Sequence, residues 1–194
     1  VRPTDVRAML SYYGVTDEKR VDELVELARS ARDAKSWSDY DEVLSQTLKE
    51  MIGQEGAATS IWKHEPSFVP GNFQTATYAQ ILLGALGETS ERVTMMSEVR
   101  DKRRSVLSGG PEINVIVGEA ALVRPVGGPK VMREQINELI DANRSENLNL
   151  HLLPFAAGPH PALGQAFTVM QFNDPGLYDS LYLEDGEERV RGID

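Results

Sequence analysis

The chain has 194 residues, and 41% hydrophobic content beside 26% charged residues excludes disordered and fibrous classes while supplying one good-sized core. Cysteine is absent, which removes thiol catalysis, cysteine-bound zinc and disulfide scaffolds together. Thirty acidic residues against twenty basic ones leave a net charge of −10, so the chain by itself is a poor binder of nucleic acid and of anionic membranes.

Up to about Met51 the pattern is helical. Thr4 and Asp5 offer a cap and an acidic first turn, Val6, Met9 and Leu10 share one face, and Gly14 sits where a helix stops. Thr16 is placed to cap a second helix whose stripe runs through Val21, Leu24, Val25 and Ala28 towards Ala31. Ser38 opens a third helical stretch with Val43, Leu44, Leu48 and Met51 facing inward. After Gly53 the period changes. Ala57 to Trp62 reads as a strand and His64 to Gly71 as a turn-rich segment. Helices follow from Thr75 to Leu86 and from Ser90 towards Leu107, and Gly109-Gly110-Pro111 breaks the chain. Ile113 to Val117 is a short β-branched run of the buried-strand kind. Gly127-Gly128-Pro129 starts a helix whose expected inward face is Val131, Met132, Gln135, Ile136, Leu139 and Ile140. Strands are expected at Leu148–Leu153, Ala166–Phe172 and Leu181–Glu184, with irregular chain at Pro154–Pro161 and a turn at Pro175-Gly176. Three helices, then β-α-α-β-α-β-β-β, predict an α+β fold: N-terminal helices followed by a mixed, mainly antiparallel sheet of about five strands packed by helices.

The search for chemistry is mostly negative. Neither Gly-Gly-Pro sequence has the Lys-Ser/Thr of a phosphate loop, and no Gly-x-Ser-x-Gly elbow is present. His64, His151 and His160 lack the spacing of metal ligands, so no metal site is expected. His151 reads as an exposed strand residue, and His160, between two prolines, as a loop-surface residue with the alternative of reaching a pocket. Glu119, leaving the end of a strand, has the position of a general base, but an ion pair with Arg124 or with the Arg100–Arg104 helix is the plainer reading. Arg100, Lys102, Arg103 and Arg104 form the basic cluster, expected to neutralise neighbouring carboxylates rather than grip phosphate. Trp62, Phe68, Phe73 and Tyr78 concentrate in one strand-turn-helix segment, where they either plug one end of the core or line a ligand or partner site.

Val69-Pro70-Gly71-x-x-Gln74-Thr75-x-x-Tyr78-Ala79, preceded by Trp62-x-x-Glu65, resembles the core motif of a known actinobacterial domain. So do Glu119-Ala120-Ala121-Leu122-x-Arg124-x-x-Gly127-Gly128, Val131-Met132-x-x-Gln135, Leu152-Leu153-Pro154-Phe155-x-x-Gly158-x-His160 and Phe167. That domain is the C-terminal part of helix-turn-helix regulators of the phage-repressor (XRE) type, described as antitoxin-like (the Scr family) and otherwise as a domain of unknown function. Residues 2–15 resemble the closing helix of the helix-turn-helix domain, and Arg32 to Trp37 the join that follows it. Asn72 and Phe73 stand where the family usually has two leucines, and Arg103-Arg104 where it usually has Arg-Gln.

The resemblance implies residues 1–36 as the end of the helix-turn-helix domain with a linker helix, and 37–194 as the regulatory, partner- or ligand-binding domain. It implies a non-catalytic, cytoplasmic, homodimeric transcription regulator without cofactor. DNA would be read through a head upstream of Val1, and a small BldB-like protein or a small-molecule effector would be its further partner. No role at a membrane is expected: no apolar run approaches the ~20 residues of a span, and the opening VRPTDVRAML is not a signal peptide. The residues assigned to ligand or partner binding are Trp62, Phe68, Phe73, Gln74, Tyr78, Glu119, Arg124 and His160. Two alternatives stand beside this reading. One is an effector-sensing pocket between the Trp62–Tyr78 and Pro154–Pro161 loops; the other is a small enzyme using Glu119 and His160.

Overall fold

The computed structural model describes residues 3–25, 37–174, 177–184 and 189–193. Helix α1 spans Pro3–Tyr12, and a second helix, α2, is described over 18–25. Asp17, not Thr16, caps α2, because its carboxylate accepts from the backbone N–H groups of Lys19 (3.0 Å) and Arg20 (3.2 Å). An Arg7–Asp22 ion pair ties the two helices together. Ala28 and Ala31, the 32–36 part of the join and the Pro175-Gly176 turn lie outside the described residues.

The third helical stretch does not open at Ser38. Ser38–Tyr40 is one 3-10 turn, and helix α3 covers Gln46–Glu55, because the Ser45 hydroxyl accepts from Leu48 N–H (3.1 Å) and makes Ser45 the cap. Val43, Leu44 and Met51 are buried, as their spacing predicts. The remaining elements are β1 (Ser60–Glu65), α4 (Ala76–Ala85), α5 (Ser90–Leu107), β2 (Glu112–Gly118), α6 (Glu119–Val123), α7 (Gly128–Ala142), β3 (Leu148–Leu153), β4 (Ala166–Gln171), β5 (Asp179–Glu184) and β6 (Arg189–Ile193). Strand β1 starts later than expected and runs through His64 and Glu65. Its parallel pairing with β2, from Ser60 opposite Glu112 to Glu65 opposite Val117, holds extended a segment whose composition suggests a turn. In α7 the buried stripe is Val131, Gln135 and Leu139 with Met132, whereas Ile136 and Ile140 are exposed, at 36% and 53%. They lie one position, about 100°, round the helix from that stripe.

The α+β expectation holds: six strands form one mixed sheet in the order β3-β2-β1-β4-β5-β6. Strands β1, β2 and β3 are parallel, and β4, β5 and β6 continue antiparallel. Cross-strand register gives the sheet two unlike faces. One carries Ile61, Ile113, Val115, Val117, Met170 and Tyr182, and joins Met51, Tyr78, Leu82, Val99, Leu107, Val131 and Leu139 of the helices in a single core. The other carries Trp62, Ile116, Phe167, Val169, Leu181 and Leu183, none of them fully buried.

The covered face is not wholly apolar. Glu55 of α3, 1% exposed, accepts two hydrogen bonds from the Arg103 guanidinium of α5, at 2.6 and 3.0 Å. Lys63 of β1 is buried on the same face, and burial together with the Arg103 charge holds its ammonium below the ordinary lysine range. A bidentate pair shut away from water is stable only while both members remain. Glu55→Ala therefore should cost about 3–5 kcal/mol in urea unfolding by stranding the Arg103 charge. The double variant Glu55→Leu/Arg103→Met should lose much less.

Candidate functional site

The segment with the densest motif lies between β1 and α4, and its polar groups are turned inward. Val69, Asn72, Phe73 and Gln74 are all buried, so the backbone of an irregular stretch must find partners without water. It finds them in side chains. Gln74 Nε2 donates to the Val69 carbonyl (2.7 Å), and the Tyr78 hydroxyl accepts from Val69 N–H (3.4 Å). Thr75 caps α4 by accepting from Tyr78 N–H (3.2 Å). Gln135 of α7, 0% exposed, uses both ends of its amide: Oε1 accepts from Thr75 N–H (2.8 Å), and Nε2 donates to the Phe73 carbonyl (2.7 Å). Arg104 donates to the carbonyls of Asn72 and Gln74, both at 3.1 Å, and to Glu138 at 2.9 Å.

The eight residues assigned from sequence therefore fall in different places. Gln74 and Tyr78 are core residues whose polar groups hold the turn. Phe73 is also buried, and with Asn72 and Arg104 it borders a cavity of about 200 Å³ between α5, α7 and the starts of β2 and β3. Trp62, 40% exposed, stands on the open sheet face. Phe68 and Arg124 meet each other, the guanidinium 5.6 Å from the ring centroid. Glu119 and His160 line a second cavity, of about 230 Å³. The aromatic segment and the proline-rich loop thus do not form one shared pocket. Pro66 is what the stretch between β1 and α4 contributes to the second cavity, and Trp62, Phe68, Phe73 and Tyr78 are not in its wall.

That second cavity sits outside the carboxyl ends of the parallel strands, where open sheets with parallel strands commonly receive ligands. Its wall takes His64 near the end of β1 and Pro66 just past it, Gly118 and Glu119 where β2 meets α6, and Leu153 to Phe155, Gly158 to His160 and Leu163 from the end of β3 and the loop that follows. A Cβ at position 118 would collide with the Pro66 carbonyl oxygen, so glycine is what lets the β1 and β2 ends close together here. Glu119 does not pair with Arg124. Its Oε2 accepts from Phe155 N–H (2.7 Å), because α6 starts at Glu119 and turns the side chain under the loop that follows β3. His64, 2% exposed, was legible in the sequence as an imidazole but not as a site residue. It lies 2.7 Å from the Gln165 carbonyl through Nδ1, and its ring centroid stands 5.7 Å from that of His160, the planes 85° apart. Among the described residues no group of three or more His, Asp or Glu side chains could hold a metal ion. None of their helices is long and apolar enough to cross a membrane.

Two members of the basic cluster pair with carboxylates as expected, Arg103 with Glu55 and Arg104 with Glu138, whereas Lys102 lies over the Trp37 ring at 4.5 Å and Arg100 Nη1 is buried without a hydrogen-bond partner among the described residues. Glu65, at the end of β1 on the covered face, is held up to about 7 by burial and then by the Glu184 carboxylate, with Lys63 acting against them.

Fold and site define an α+β domain on one mixed sheet, with a cavity at the carboxyl ends of its parallel strands. A family model described as a domain of unknown function (DUF5753) matches residues 48–190, from within α3 to the start of β6. The chain belongs to that family. Comparison with curated proteins gives no match, and comparison with solved structures gives none.

Two outcomes test these assignments. Gln135→Leu strands the Thr75 N–H and the Phe73 carbonyl and should cost about 1–3 kcal/mol for each group left unpaired, whereas Ile136→Gln one residue on should stay within about 0.5 kcal/mol in the same denaturant titration. Because the folded carboxyl of Glu65 keeps its proton up to about 7 and the unfolded one releases it near 4.5, stability from this group is full below that window and falls as pH rises through it. Glu65→Gln should match the native chain in melting temperature at pH near 4 and exceed it at pH near 8.

Proposed function

We propose that this chain is the regulatory, dimerising domain of a DNA-binding transcription regulator of the helix-turn-helix class, antitoxin-like, and that it acts by binding rather than by catalysis. The observation that carries the reading is the open face of the sheet. Two rows cross its middle, Trp62–Val169–Leu181 and Ile116–His64–Phe167–Leu183; by register they continue into Asn114 and His151 on one side and into Arg191 and Arg189 of β6 on the other. Carboxylates on this face of β1 to β5 are confined to Glu112 and Asp179, both at the same end of the sheet, in a chain of net charge −10. Two identical acidic bodies repel one another least where an apolar patch free of carboxylates lets them meet. A second copy, related by a two-fold axis, is thus the occupant the electrostatics favour, and it would space two DNA-reading heads to match a two-fold operator.

Further support comes from the motif resemblance, and the acidity of the chain is consistent with DNA being read by a separate basic head. The Glu119 carboxylate is engaged by a backbone N–H, and the cavity wall around it offers two imidazoles and apolar groups, with no hydroxyl or thiol to act as nucleophile. A small BldB-like protein remains the partner that the resemblance implies for the assembled dimer.

Fusing the chain to a helix-turn-helix head whose operator binding requires dimerisation should raise operator affinity by about 100-fold. Trp62→Arg in that fusion should return it to the affinity of the head alone and leave the far-ultraviolet circular dichroism unchanged. Monomeric behaviour of the native chain in sedimentation equilibrium, or a dimer indifferent to Trp62→Arg, would overturn the reading.

A further inference from the structure

We infer that the cavity at the carboxyl ends of β1, β2 and β3 is a binding site for a small organic amine with an apolar body, held by the Glu119 carboxylate under the loop that carries His160. The inference is independent of dimerisation through the open sheet face. It starts from the wall. Glu119 is the single charged side chain in it; the rest is His64, His160, backbone, and the apolar groups of Leu153, Pro154, Phe155 and Leu163. One carboxylate among neutral groups, in a chain of net charge −10, selects a cation over an anion. The volume of about 230 Å³ suits a small amine.

Glu119 has an acceptor to spare: it uses Oε2 for Phe155 N–H, and its Oε1 meets no donor among the described residues. A carbonyl oxygen can only accept, so the 2.7 Å contact to Gln165 requires the proton of His64 on Nδ1. His64 Nε2 is enclosed behind the wall and meets no donor among the described residues, so the ring adds no positive donor to the cavity. An ammonium group supplies the donor that the spare Glu119 oxygen lacks. An anion would find no cationic group in the wall.

The loop over the cavity is attached so that a ligand would be felt. Its own backbone hydrogen bonds are local: Ala157 to Pro154, Gly158 to Phe155, Leu163 to His160 and Gln165 to Ala162. Gly158 and Gly164, at φ of 71° and 78°, bracket the part bearing His160 and Leu163. At its two ends the loop is fastened to the strands by the cavity's own polar residues, Phe155 N–H to Glu119 and the Gln165 carbonyl to His64. An amine that shares the Glu119 carboxylate weakens the first of these fastenings, which couples occupancy to the position of His160.

Titration of the full chain with phenethylamine, and with phenylacetate as a probe of similar size and opposite charge, tests this by calorimetry, with nitrogen-edited NMR following the Phe155 amide and the His64 ring. The amine should bind with a Kd of about 1 mM or tighter and shift both signals, and phenylacetate should do neither. Glu119→Gln keeps an acceptor for Phe155 N–H while removing the charge, and should weaken amine binding by about tenfold or more. Equal binding of the two probes, absence of amine binding, or an affinity unchanged by Glu119→Gln would overturn the inference. The comparison of the two probes on the native chain stands even if that variant does not fold.

Discussion

A largely buried segment between a strand and a helix can satisfy only part of its own backbone, and this constraint organises the helical layer. In residues 69 to 75 a 3-10 turn over Gly71–Phe73 pairs the N–H groups of Phe73 and Gln74 with the carbonyls of Pro70 and Gly71, and the other groups are met by side chains, most of them brought from elsewhere. Gln135 reaches them from α7, Arg104 from α5, Tyr78 from α4 and Gln74 from within the segment. Three helices are thereby fixed to one turn by directional bonds, and the apolar contacts of Tyr78, Val99, Val131 and Leu139 then close the core around it. Most of the polarity of this motif, rich in Gln, Thr and Tyr, is thus engaged inside the protein.

With the helices committed to one side of the sheet, the two functional surfaces follow from what is left. The opposite face keeps Trp62, Val169 and Leu181 in a row that the protein's own helices do not bury fully. The carboxyl ends of the three parallel strands leave a space that the loop after β3 roofs, and the residues that fasten that loop are the ones that give the space its chemistry. The surface proposed for a second copy and the cavity proposed for a small cation therefore lie on the same side of one sheet. His64 and Phe167 belong to the apolar rows and stand in ring contact, centroids 5.3 Å apart, and His64 also forms part of the cavity wall.

The buried Glu55–Arg103 pair has a different character. It links α3 to α5 beneath the sheet and keeps Lys63 and Glu65 in a region where charge is costly. Glu65 is consequently a carboxyl that retains its proton to near neutrality. Opposite charges in this region offset one another, Glu55 against Arg103 and Lys63 against Glu65, while Arg103 presses on Lys63 and Glu184 on Glu65, a balance that an apolar stripe drawn on any single element does not reveal.

Much of this was legible before folding. The strand at Leu148–Leu153 and the helix at Ser90–Leu107 match their expected limits, because β-branched and leucine runs bounded by breakers are local signals. The α+β architecture follows from the order of such runs. Strand β1 shows where local signals end: Lys63 is buried on the helix side and Trp62 is exposed on the other, since alternation tells that a strand has two faces but not which one the helices cover. In the same way Glu119 carries the signal of a carboxylate at a strand end, while its partner is a backbone N–H thirty-six residues away that no spacing announces. The residues by themselves determined most of the helices and strands, though not α6 or β6, together with the acidity of the chain and its membership of a recognisable family. Only the tertiary structure decided which polar groups are consumed in holding the core and which remain to meet a ligand, because that choice depends on distances between segments far apart in the chain.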